Sequence, residues 1–360
     1  MNSISHATAL AVDRPSGLVR ASLLQKLGGY VNTQLIYLFA KLGVADLLTT
    51  GAASSRSLAS RLDLPHDPLH RLARGWISAG LLMETPTGDF MATPLAALLE
   101  SDRPDSLREY AILTGEEWYP AWNGLLQAVE ANDTPFDVVF GSDYYTYLSQ
   151  KEEAGARFNR FMEVRTLQTV QALLATYDFS AARVIVDIGG GNGTLLQAVL
   201  SAHPHLHAIL FEQPAVIREA EQRAAIQPFG ERWQFVEGDF FTDAPPPGDL
   251  YILSQVLHNW GDEECGQILR SCRKSLQPQG ALLILEQVIP AQIQANQSAV
   301  EADLMMLMLL KGRERTAAEY TGLLHSAEFA VTALYPLKRL GFTLLEAKIQ
   351  TEKDTSYGHS

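Results

Sequence analysis

The segment VIVDIGGGNGTLLQAVL, residues 184–200, decides the fold class. Its first part is a short apolar run of the kind that forms a buried strand, and its last part has the apolar spacing of a helix. Between them lies a glycine turn that contains Gly189 and Gly191. A strand, a glycine turn and a helix in this order predict the first unit of an open α/β sheet.

The chain after residue 182 continues this alternation. Further strands are predicted at HAILFE, WQFVEG, DLYILS, ALLILEQVI, VTALYPL and FTLLEAKI, and helices at 194–202, 214–225, 263–276 and 316–328. Alternating strands and helices predict a Rossmann-like, doubly wound parallel sheet. The last two strands are separated only by KRLG, so we expect them to pair as an antiparallel hairpin.

The glycine turn does not match a dinucleotide site. The G-x-G-x-x-G pattern, counted from Gly189, would need a glycine where Thr194 stands. Asp187 directly precedes the glycines and would repel a pyrophosphate. An ammonium and a sulfonium would instead be attracted, and S-adenosylmethionine (SAM) carries both without a phosphate.

Two more predicted strands end in acids. Glu212 closes the second strand, where an acid suits hydrogen bonds to ribose hydroxyls. The third strand leads into Gly238, Asp239 and Phe240. Asp239 is placed to accept a hydrogen bond from the adenine amino group, and Phe240 to pack on the ring. The alternative is that all three acids are ordinary solvated loop residues.

A histidine marks the end of the fourth strand. In LSQVLHNWGDEEC, residues 253–265, the apolar run stops at His258, at the sheet edge where ligands bind in open α/β folds. His258 is therefore a candidate for chemistry, with a buried core histidine as the alternative.

The part of the chain before the sheet reads as two regions. Residues 1–104 form a predicted, mainly helical domain, and 54–93 give helix, turn, helix and hairpin in a winged-helix pattern. DNA binding is the alternative, but 54–93 carry four arginines against four acids and so lack a basic face. We therefore expect a dimerisation or scaffold role. Residues 105–180 are a predicted helical linker lining the substrate pocket, and 181–360 the catalytic domain.

Composition limits the partners and the compartment. The net charge of −13 argues against nucleic acid or an anionic membrane as a partner. No apolar run approaches the roughly 18 residues of a membrane span. Residues 1–17 lack the pattern of a secretory signal and are expected to be a short disordered tail. The two cysteines, Cys265 and Cys272, lie too far apart on one helix for a disulfide, so a cytoplasmic protein is expected.

Several motifs together resemble one family. DIGGGNG, FEQPAVI, GDFF, LSQVLHNWGDEEC, LLILEQVIP and GRERTAAEY occur in this order. The chain resembles the class I SAM-dependent O-methyltransferases of the caffeate and bacterial polyketide or hydroxyneurosporene type. The resemblance implies methyl transfer to a hydroxyl, expected to be phenolic, of a secondary metabolite, with S-adenosylhomocysteine as product and no metal. It also implies an intertwined homodimer built on the N-terminal domain.

The resemblance implies that His258 is the general base and that Glu286 and Glu314 flank it. The chemistry is consistent, because a phenol has a pKa near 10 and is a poor nucleophile while protonated. Histidine titrates near neutral pH and can remove such a proton.

Other roles come from the resemblance alone. Trp260 matches the family's tryptophan beside adenine, and Ser254 stands where plant members have a lysine and is expected to contact the cofactor. Met162, Met305 and Leu309 are expected on the substrate side. Leu309 replaces a polar asparagine of plant members, which suggests a more apolar acceptor.

Two alternative functions remain. The same fold could use SAM without methyl transfer, in hydroxylation, decarboxylation or a pericyclic reaction, and the presence of His258, Glu286 and Glu314 only favours methyl transfer. Transfer to nitrogen or carbon is also open. HPHLH at 203–207 suggests a metal site, but it lies on the face away from the strand ends, so no metal is expected.

Overall fold

The protein is described here by a computed structural model that covers residues 17–350 except 225–228, 291, 293–296 and 338–340. The chain divides into two compact units, Met1–Glu116 and Glu117–Ser360. The predicted boundaries at 104/105 and 180/181 differ from this division and stay predictions. Of the predicted N-terminal tail, all but Gly17 lies outside the described residues.

The first unit is mainly helical. Its elements are α1 (Gly17–Leu27), α2 (Gly29–Lys41), α3 (Val44–Leu47), α4 (Ser55–Arg61), α5 (His66–Ser78), β1 (Leu82–Glu84), β2 (Phe90–Ala92), α6 (Pro94–Ala97) and α7 (Arg108–Leu113), and a π-helical turn follows at Thr114–Trp118.

Within this unit the predicted order of helix, turn, helix and hairpin is present. The Ser54 hydroxyl caps α4 by accepting a hydrogen bond from the Ser57 amide at 3.2 Å. Strands β1 and β2 pair antiparallel, and Gly88 provides the positive φ of their turn. Trp76 on α5 is fully buried in the unit's core. The winged-helix classification and the dimerisation role stay predictions.

The second unit begins with helices and continues with the sheet. Its helices are α8 (Tyr119–Ala121), α9 (Leu125–Ala131), α10 (Pro135–Phe140), α11 (Tyr144–Gln150), α12 (Glu152–Thr176), α13 (Thr194–Ala202), α14 (Pro214–Ala224), α15 (Asp262–Ser275), α16 (Gln297–Leu309) and α17 (Ala317–Ser326). Its strands are β3 (Val184–Ile188), β4 (His207–Glu212), β5 (Trp233–Glu237), β6 (Gly248–Ser254), β7 (Leu276–Ile289), β8 (Arg315–Thr316), β9 (Phe329–Leu337) and β10 (Phe342–Ile349). Short 3₁₀ helices occur at Trp122–Gly124, Phe179–Ala181, Gly230–Arg232 and Leu257–Asn259.

The sheet has the predicted doubly wound topology. Its order is β5-β4-β3-β6-β7-β10-β9, with β8 pairing with β7. Within this order β3 to β7 are parallel, and β10 runs antiparallel to both β7 and β9, which confirms the final hairpin. The predicted turn between these strands lies mostly outside the described residues, as does the last residue of the helix expected at 214–225.

The sheet positions a ligand site by its strand order. The chain builds outward from β3 to β4 and β5, and then returns to place β6 on the other side of β3. The order therefore reverses between β3 and β6, and the crevice at their carboxyl ends is where open α/β sheets bind ligands. Apolar clusters cover both faces, so the strands are near-continuous hydrophobic runs. Among the described residues, no helix is long and apolar enough to cross a membrane.

Candidate active site

The glycine turn after β3 has a backbone that other residues rarely adopt. Gly189, Gly191 and Gly193 have φ angles of +72°, +58° and +78°. A Cβ at Gly193 would also lie 2.6 Å from the Trp233 ring. Only glycine tolerates both constraints. The turn thus brings the amide-rich start of α13 close to the switch point.

Asp187 lies beneath this turn and is fully buried. A Cβ at Gly190 would meet its carboxylate at 2.3 Å, so the acid is packed against the turn itself. Neither carboxylate oxygen has a hydrogen-bond partner among the described residues. Burial, and then repulsion from Glu212, raise the pKa of Asp187 to about 7. An uncompensated buried acid fits a cationic ligand, because a nearby positive charge would offset the cost of its burial.

Glu212 ends β4 beside the turn, as predicted. One of its oxygens accepts a hydrogen bond from the Gly191 amide at 3.2 Å, and the other accepts one from Gln213 at 2.7 Å. Burial raises the pKa of Glu212, although these two hydrogen bonds act in the opposite direction. Glu212 therefore holds the glycine turn and the end of β4 together, and its ribose role stays a prediction.

The end of β5 requires a glycine and carries the third acid. The Gly238 amide donates to the Glu212 carbonyl at 3.0 Å, and a Cβ there would lie 2.2 Å from the Phe211 ring. Asp239 follows, and one of its oxygens accepts a hydrogen bond from the Phe241 amide at 2.9 Å. This bond orients Asp239 at the carboxyl edge of the sheet.

Aromatic rings meet at the same edge. The Phe240 ring lies 6.1 Å from the Trp260 ring at 82°, and Phe241 lies 4.8 Å from each of them. Ser254 is the last residue of β6 and is partly exposed. The structure thus brings the predicted cofactor residues of β3, β4, β5 and β6 to one edge. Their combination of an unpaired acid, a glycine turn and aromatic rings fits a ligand with a cationic end and a planar base.

His258 lies on the 3₁₀ turn that follows β6 and is 6% exposed. Its Nδ1 is 2.9 Å from a carboxylate oxygen of Glu314 and 3.6 Å from one of Glu286. Both carboxylates are buried. The three residues singled out from the sequence as base and partners are therefore in contact.

Glu286 also holds the backbone of the histidine turn. One of its oxygens accepts hydrogen bonds from the amides of Leu257 at 2.9 Å and His258 at 3.4 Å. Burial raises the pKa of Glu286 to about 7; the His258 charge lowers it and the neighbouring Glu314 raises it further. Glu314 is held in turn, because its amide donates to Asp303 on α16 at 3.0 Å.

Burial and the neighbouring charges shift the pKa of His258 in different directions. Burial lowers its pKa, Glu286 and Glu314 raise it, and Arg165 on α12 lowers it; the net pKa lies above the usual histidine value. When Nδ1 donates its proton to Glu314, the lone pair of the neutral ring is on Nε2. A ring held in this way can accept a proton at Nε2.

A metal ion could use the same geometry. Ligand atoms of His258, Glu286 and Glu314 all lie within 4.8 Å of one another, and no other such group of three occurs in the described part of the chain. The histidines at 203, 205 and 207 do not converge in this way. His205 lies 3.3 Å from the Phe179 carbonyl, at the opposite end of the sheet.

Two residues that build this site, Arg315 and Gly312, were not predicted from the sequence. Arg315 is fully buried and its guanidinium bonds the carbonyls of Leu257 and Trp260. A Cβ at Gly312 would lie 2.1 Å from the His258 carbonyl. The run GRERT contains these residues, but an arginine in such a polar run is ordinarily read as exposed.

The predicted substrate residues lie on two helices of the second unit. Met162 is half-buried on α12, Met305 is half-buried on α16, and Leu309 is buried on α16. Because α16 also holds Glu314 through Asp303, it is tied to the histidine group. The contacts of these side chains with a substrate stay predictions.

Comparison with known proteins identifies the family. An O-methyltransferase domain family matches residues 122–330. A phenazine O-methyltransferase from Lysobacter antibioticus is 41% identical over 326 residues, which are 91% of this chain and 95% of that protein. An aclacinomycin 10-hydroxylase from Streptomyces purpurascens is 32% identical over 86% of this chain and 84% of its own length.

A solved structure of human N-acetylserotonin methyltransferase in complex with SAM has a TM-score of 0.84 and 26% identity, covering 95% of this chain and all of that one. The family match extends over more than half of the chain, and the phenazine enzyme aligns over nearly all of it. The chain therefore belongs to the class I O-methyltransferase family.

Proposed function

We propose that this SAM-dependent O-methyltransferase methylates a phenolic hydroxyl of a planar aromatic secondary metabolite, with His258 as the general base. The observation that supports the base most directly is the 2.9 Å contact between His258 Nδ1 and Glu314. When Nδ1 donates in this contact, the lone pair of the neutral ring is on Nε2, where it can take the proton of an acceptor hydroxyl. The edge beside His258 is also the edge at which the cofactor residues meet.

The chemistry divides between cofactor and protein. SAM supplies a methyl group that is already activated on a sulfonium. The chain has to remove one proton and align the acceptor oxygen with the methyl group and the sulfur. His258 takes the proton, and Glu314 and Glu286 stabilise the resulting imidazolium. Alignment of the two reactants lowers the barrier further.

The acceptor is expected to be flat and mainly apolar. Met162, Met305 and Leu309 are all apolar, which suits packing against an aromatic plane. The Lysobacter antibioticus relative acts on a phenazine, a planar aromatic system, according to its name. We therefore expect hydroxyphenazines and other fused-ring phenols to be the best acceptors.

The test is acceptor-dependent formation of S-adenosylhomocysteine by the intact protein. Purified protein is incubated with SAM and single hydroxyphenazines, anthraquinones, catechols and simple phenols, and the products are identified by mass. His258→Ala is expected to lower kcat by about 100-fold or more. His325→Ala is the matched control, since His325 is exposed on α17 and should leave kcat unchanged.

Two results would contradict the proposal. Full turnover in His258→Ala would remove the base, and turnover that disappears with EDTA and returns with a divalent cation would assign the three-residue group to a metal. A product that gains oxygen or loses carbon dioxide would identify the alternative chemistry suggested by the name of the hydroxylase relative. A methyl group found on nitrogen or carbon would redefine the acceptor atom.

We propose further that the protein is a homodimer formed through its N-terminal helices. Large apolar side chains on α1 and the start of α2 are more than half exposed: Leu18, Val19, Leu23, Leu24, Leu27 and Tyr30. Contiguous exposed apolar surface of this kind usually marks an interface. Light scattering should give twice the mass of one chain, and Leu23→Glu with Leu27→Glu should give a monomer; a monomeric parent protein would contradict the proposal.

We propose a reducing compartment, the cytoplasm, as the site of action. Cys265 and Cys272 are both free and buried. Burial raises the pKa of the two thiols to about 11 and about 12, so neither is reactive at neutral pH. Recovery of the activity in the cytosolic fraction of the source cells would support this, and recovery outside the cells would contradict it.

A further inference from the structure

Arg315 is a fully buried cation, and most of its hydrogen bonds go to one short segment, residues 257–262. Its guanidinium donates to the Leu257 carbonyl at 3.0 Å, to the Trp260 carbonyl at 2.7 Å and to the Asp262 carboxylate at 2.8 Å. The Nε atom of Arg315 donates to the same Asp262 oxygen at 3.1 Å. Burial of a guanidinium is costly unless such partners are present, so this arrangement is closely specified.

The segment that Arg315 grips is the one that carries the base. The carbonyls of Leu257 and Trp260 lie on either side of His258 along the chain. A single 3₁₀ turn has few hydrogen bonds of its own and poor hydrogen-bond geometry. The position of His258 therefore depends on partners outside the turn.

Glu286 is one such partner, and others come from one stretch of four residues, Gly312 to Arg315. The Arg313 amide donates to the His258 carbonyl at 2.8 Å, Glu314 holds the imidazole, and Arg315 holds the main chain on both sides. Gly312 allows the stretch to approach, because a Cβ there would overlap the His258 carbonyl. Backbone and ring of His258 are thus held by neighbouring residues of the same segment.

We propose that Arg315, together with Asp262, is a positioning residue that holds the His258 turn at the distance from Glu314 that proton removal requires. This inference rests on the proposed role of His258 as general base. Arg315 reaches the predicted cofactor residue Trp260 through the main-chain carbonyl and not through the indole ring. It acts through the carbonyls of Leu257 and Trp260, and its loss would let the imidazole move away from the reacting oxygen.

The test uses Arg315→Met, which removes the charge, and Arg315→Lys, which keeps it. Lysine is a point charge and cannot satisfy three acceptors with a planar fork, so it should rescue only in part. Arg315→Met should lower kcat by about 100-fold, the scale expected when a catalytic group is displaced by about 1 Å. The KM and the calorimetric Kd for SAM should change far less than kcat, since the hydrogen bonds of Arg315 go to residues 257–262 and 313 and not to the glycine turn.

The pH profile separates positioning from general stability. The charged groups that face His258 are Glu286 on β7, Glu314 before β8 and Arg165 on α12, and the two glutamates raise the histidine pKa. A ring that moves away from Glu314 loses part of this effect, so the acidic limb of kcat/KM should move to lower pH in Arg315→Met. A stability defect alone would lower activity in proportion to the folded fraction and leave the limb unchanged.

Arg273→Met is the matched control, because Arg273 is a partly exposed arginine of α15 that pairs with Glu328 and not with the His258 turn. It should retain kcat and the pH profile. Parental kcat in folded Arg315→Met or Arg315→Lys would overturn the positioning role while leaving the base intact. Activity retained in His258→Ala, measured in parallel, would instead show that the proposed function has failed and would overturn this inference with it.

Discussion

At the scale of single residues, the site depends on acids that are buried before any ligand arrives. His258 has two carboxylates at its Nδ1 side, and Glu286 in addition binds two backbone amides. Carboxylates placed so close repel each other unless a proton or a cation is shared among them. The imidazole supplies that proton, so the protonation of His258 depends on the two carboxylates beside it.

The first prediction concerns the pH dependence of catalysis. Because Glu286 and Glu314 raise the pKa of His258, the neutral base is available only above a pH higher than the usual histidine value. The acidic limb of kcat/KM should therefore lie above about pH 6.5. Glu314→Gln removes one raising charge and should move the limb to lower pH while lowering kcat.

This prediction is checked by kcat/KM profiles of the parent and Glu314→Gln under saturating SAM. Glu319→Gln is a suitable control, since Glu319 caps α17 and lies in the chain only five residues away. A limb that stays in place in Glu314→Gln would show that this carboxylate does not act on the base.

The second prediction concerns Asp187 and the cofactor. Its carboxylate has no hydrogen-bond partner among the described residues, so we expect its charge to serve the cationic end of SAM. Asp187→Asn keeps the shape and removes the charge, and should weaken SAM binding by about 10- to 100-fold.

The Kd for SAM is measured by calorimetry, with Asp105→Asn in the first unit as control. The folded protein should not lose stability in Asp187→Asn, because an amide is cheaper to bury than an unpaired carboxylate. Unchanged SAM affinity together with lowered stability would show that Asp187 serves the turn and not the cofactor.

At the scale of secondary-structure elements, the strands of the sheet could be predicted, but the segment that packs against His258 could not. β3 and β4 were predicted to within one residue, because strands that are buried on both faces are apolar runs bounded by glycine and acids. β7 begins five residues before its predicted start, since Gln277, Pro278 and Gln279 do not look like a strand. β8 has only two residues, and α16 ends in the continuous apolar run LMMLML, so neither has a periodic signal.

The residues of the candidate site also divide into those that the sequence predicts and those that it does not. The glycines, the strand-end acids and His258 were found because each directly follows an apolar run. Gly312 and Arg315 were missed because their contacts join segments more than 50 residues apart in sequence. Such long-range pairing is set by the tertiary fold, and a local pattern does not report it.

The third prediction tests this long-range contact at Gly312. A Cβ there would lie 2.1 Å from the His258 carbonyl, so Gly312→Ala must push the 3₁₀ turn Leu257–Asn259 and residues 312–315 apart. We expect kcat to fall by about 10- to 100-fold and the free energy of unfolding to fall by about 1–3 kcal/mol. Binding of SAM should be retained, since the glycine turn after β3 is unchanged.

Gly322→Ala is the matched glycine control. Gly322 lies in α17 with no atom near its Cβ direction, and alanine there should stabilise the helix by about 0.5–1 kcal/mol without affecting kcat. Steady-state kinetics and urea unfolding of both variants decide the matter. A parental kcat in Gly312→Ala would mean that the reaction does not depend on the exact position of the turn that carries His258.

At the scale of the whole molecule, buried acids make the free protein a pH-sensitive one. The pKa values of Asp187 and Glu286 are raised to about 7, chiefly by burial, and those of Glu212 and Asp303 are raised for the same reason. By contrast, hydrogen bonds lower the pKa values of other acids, such as Asp262 and Glu319. The acids with raised pKa values change the stability at a pH above the ordinary carboxyl pKa, and the acids with lowered pKa values change it below that pKa.

The fourth prediction is that the free protein becomes less stable as the pH rises from about 5 to about 8. A carboxyl whose pKa is raised on folding binds its proton more tightly in the folded state, so its contribution is lost as pH rises through that pKa. His258, whose pKa is also raised, acts in the same direction above the ordinary histidine value. The acids with lowered pKa values contribute fully above about pH 4 and are lost only below it, so they do not oppose this slope.

Urea unfolding at about pH 5.5 and about pH 8, followed by tryptophan fluorescence, measures the slope, and each unit of pKa shift corresponds to about 1.4 kcal/mol. Asp187→Asn removes one of the responsible groups and should flatten the slope, and saturating SAM should also flatten it, because a cation beside Asp187 favours the ionised acid. The net charge of −13 adds repulsion at high pH, but that part is screened by salt and the buried part is not. A slope that persists at high salt and flattens in Asp187→Asn would therefore assign the pH sensitivity to the buried acid below the glycine turn. Stability that rises toward pH 8 would instead show that these acids are already ionised in the free protein.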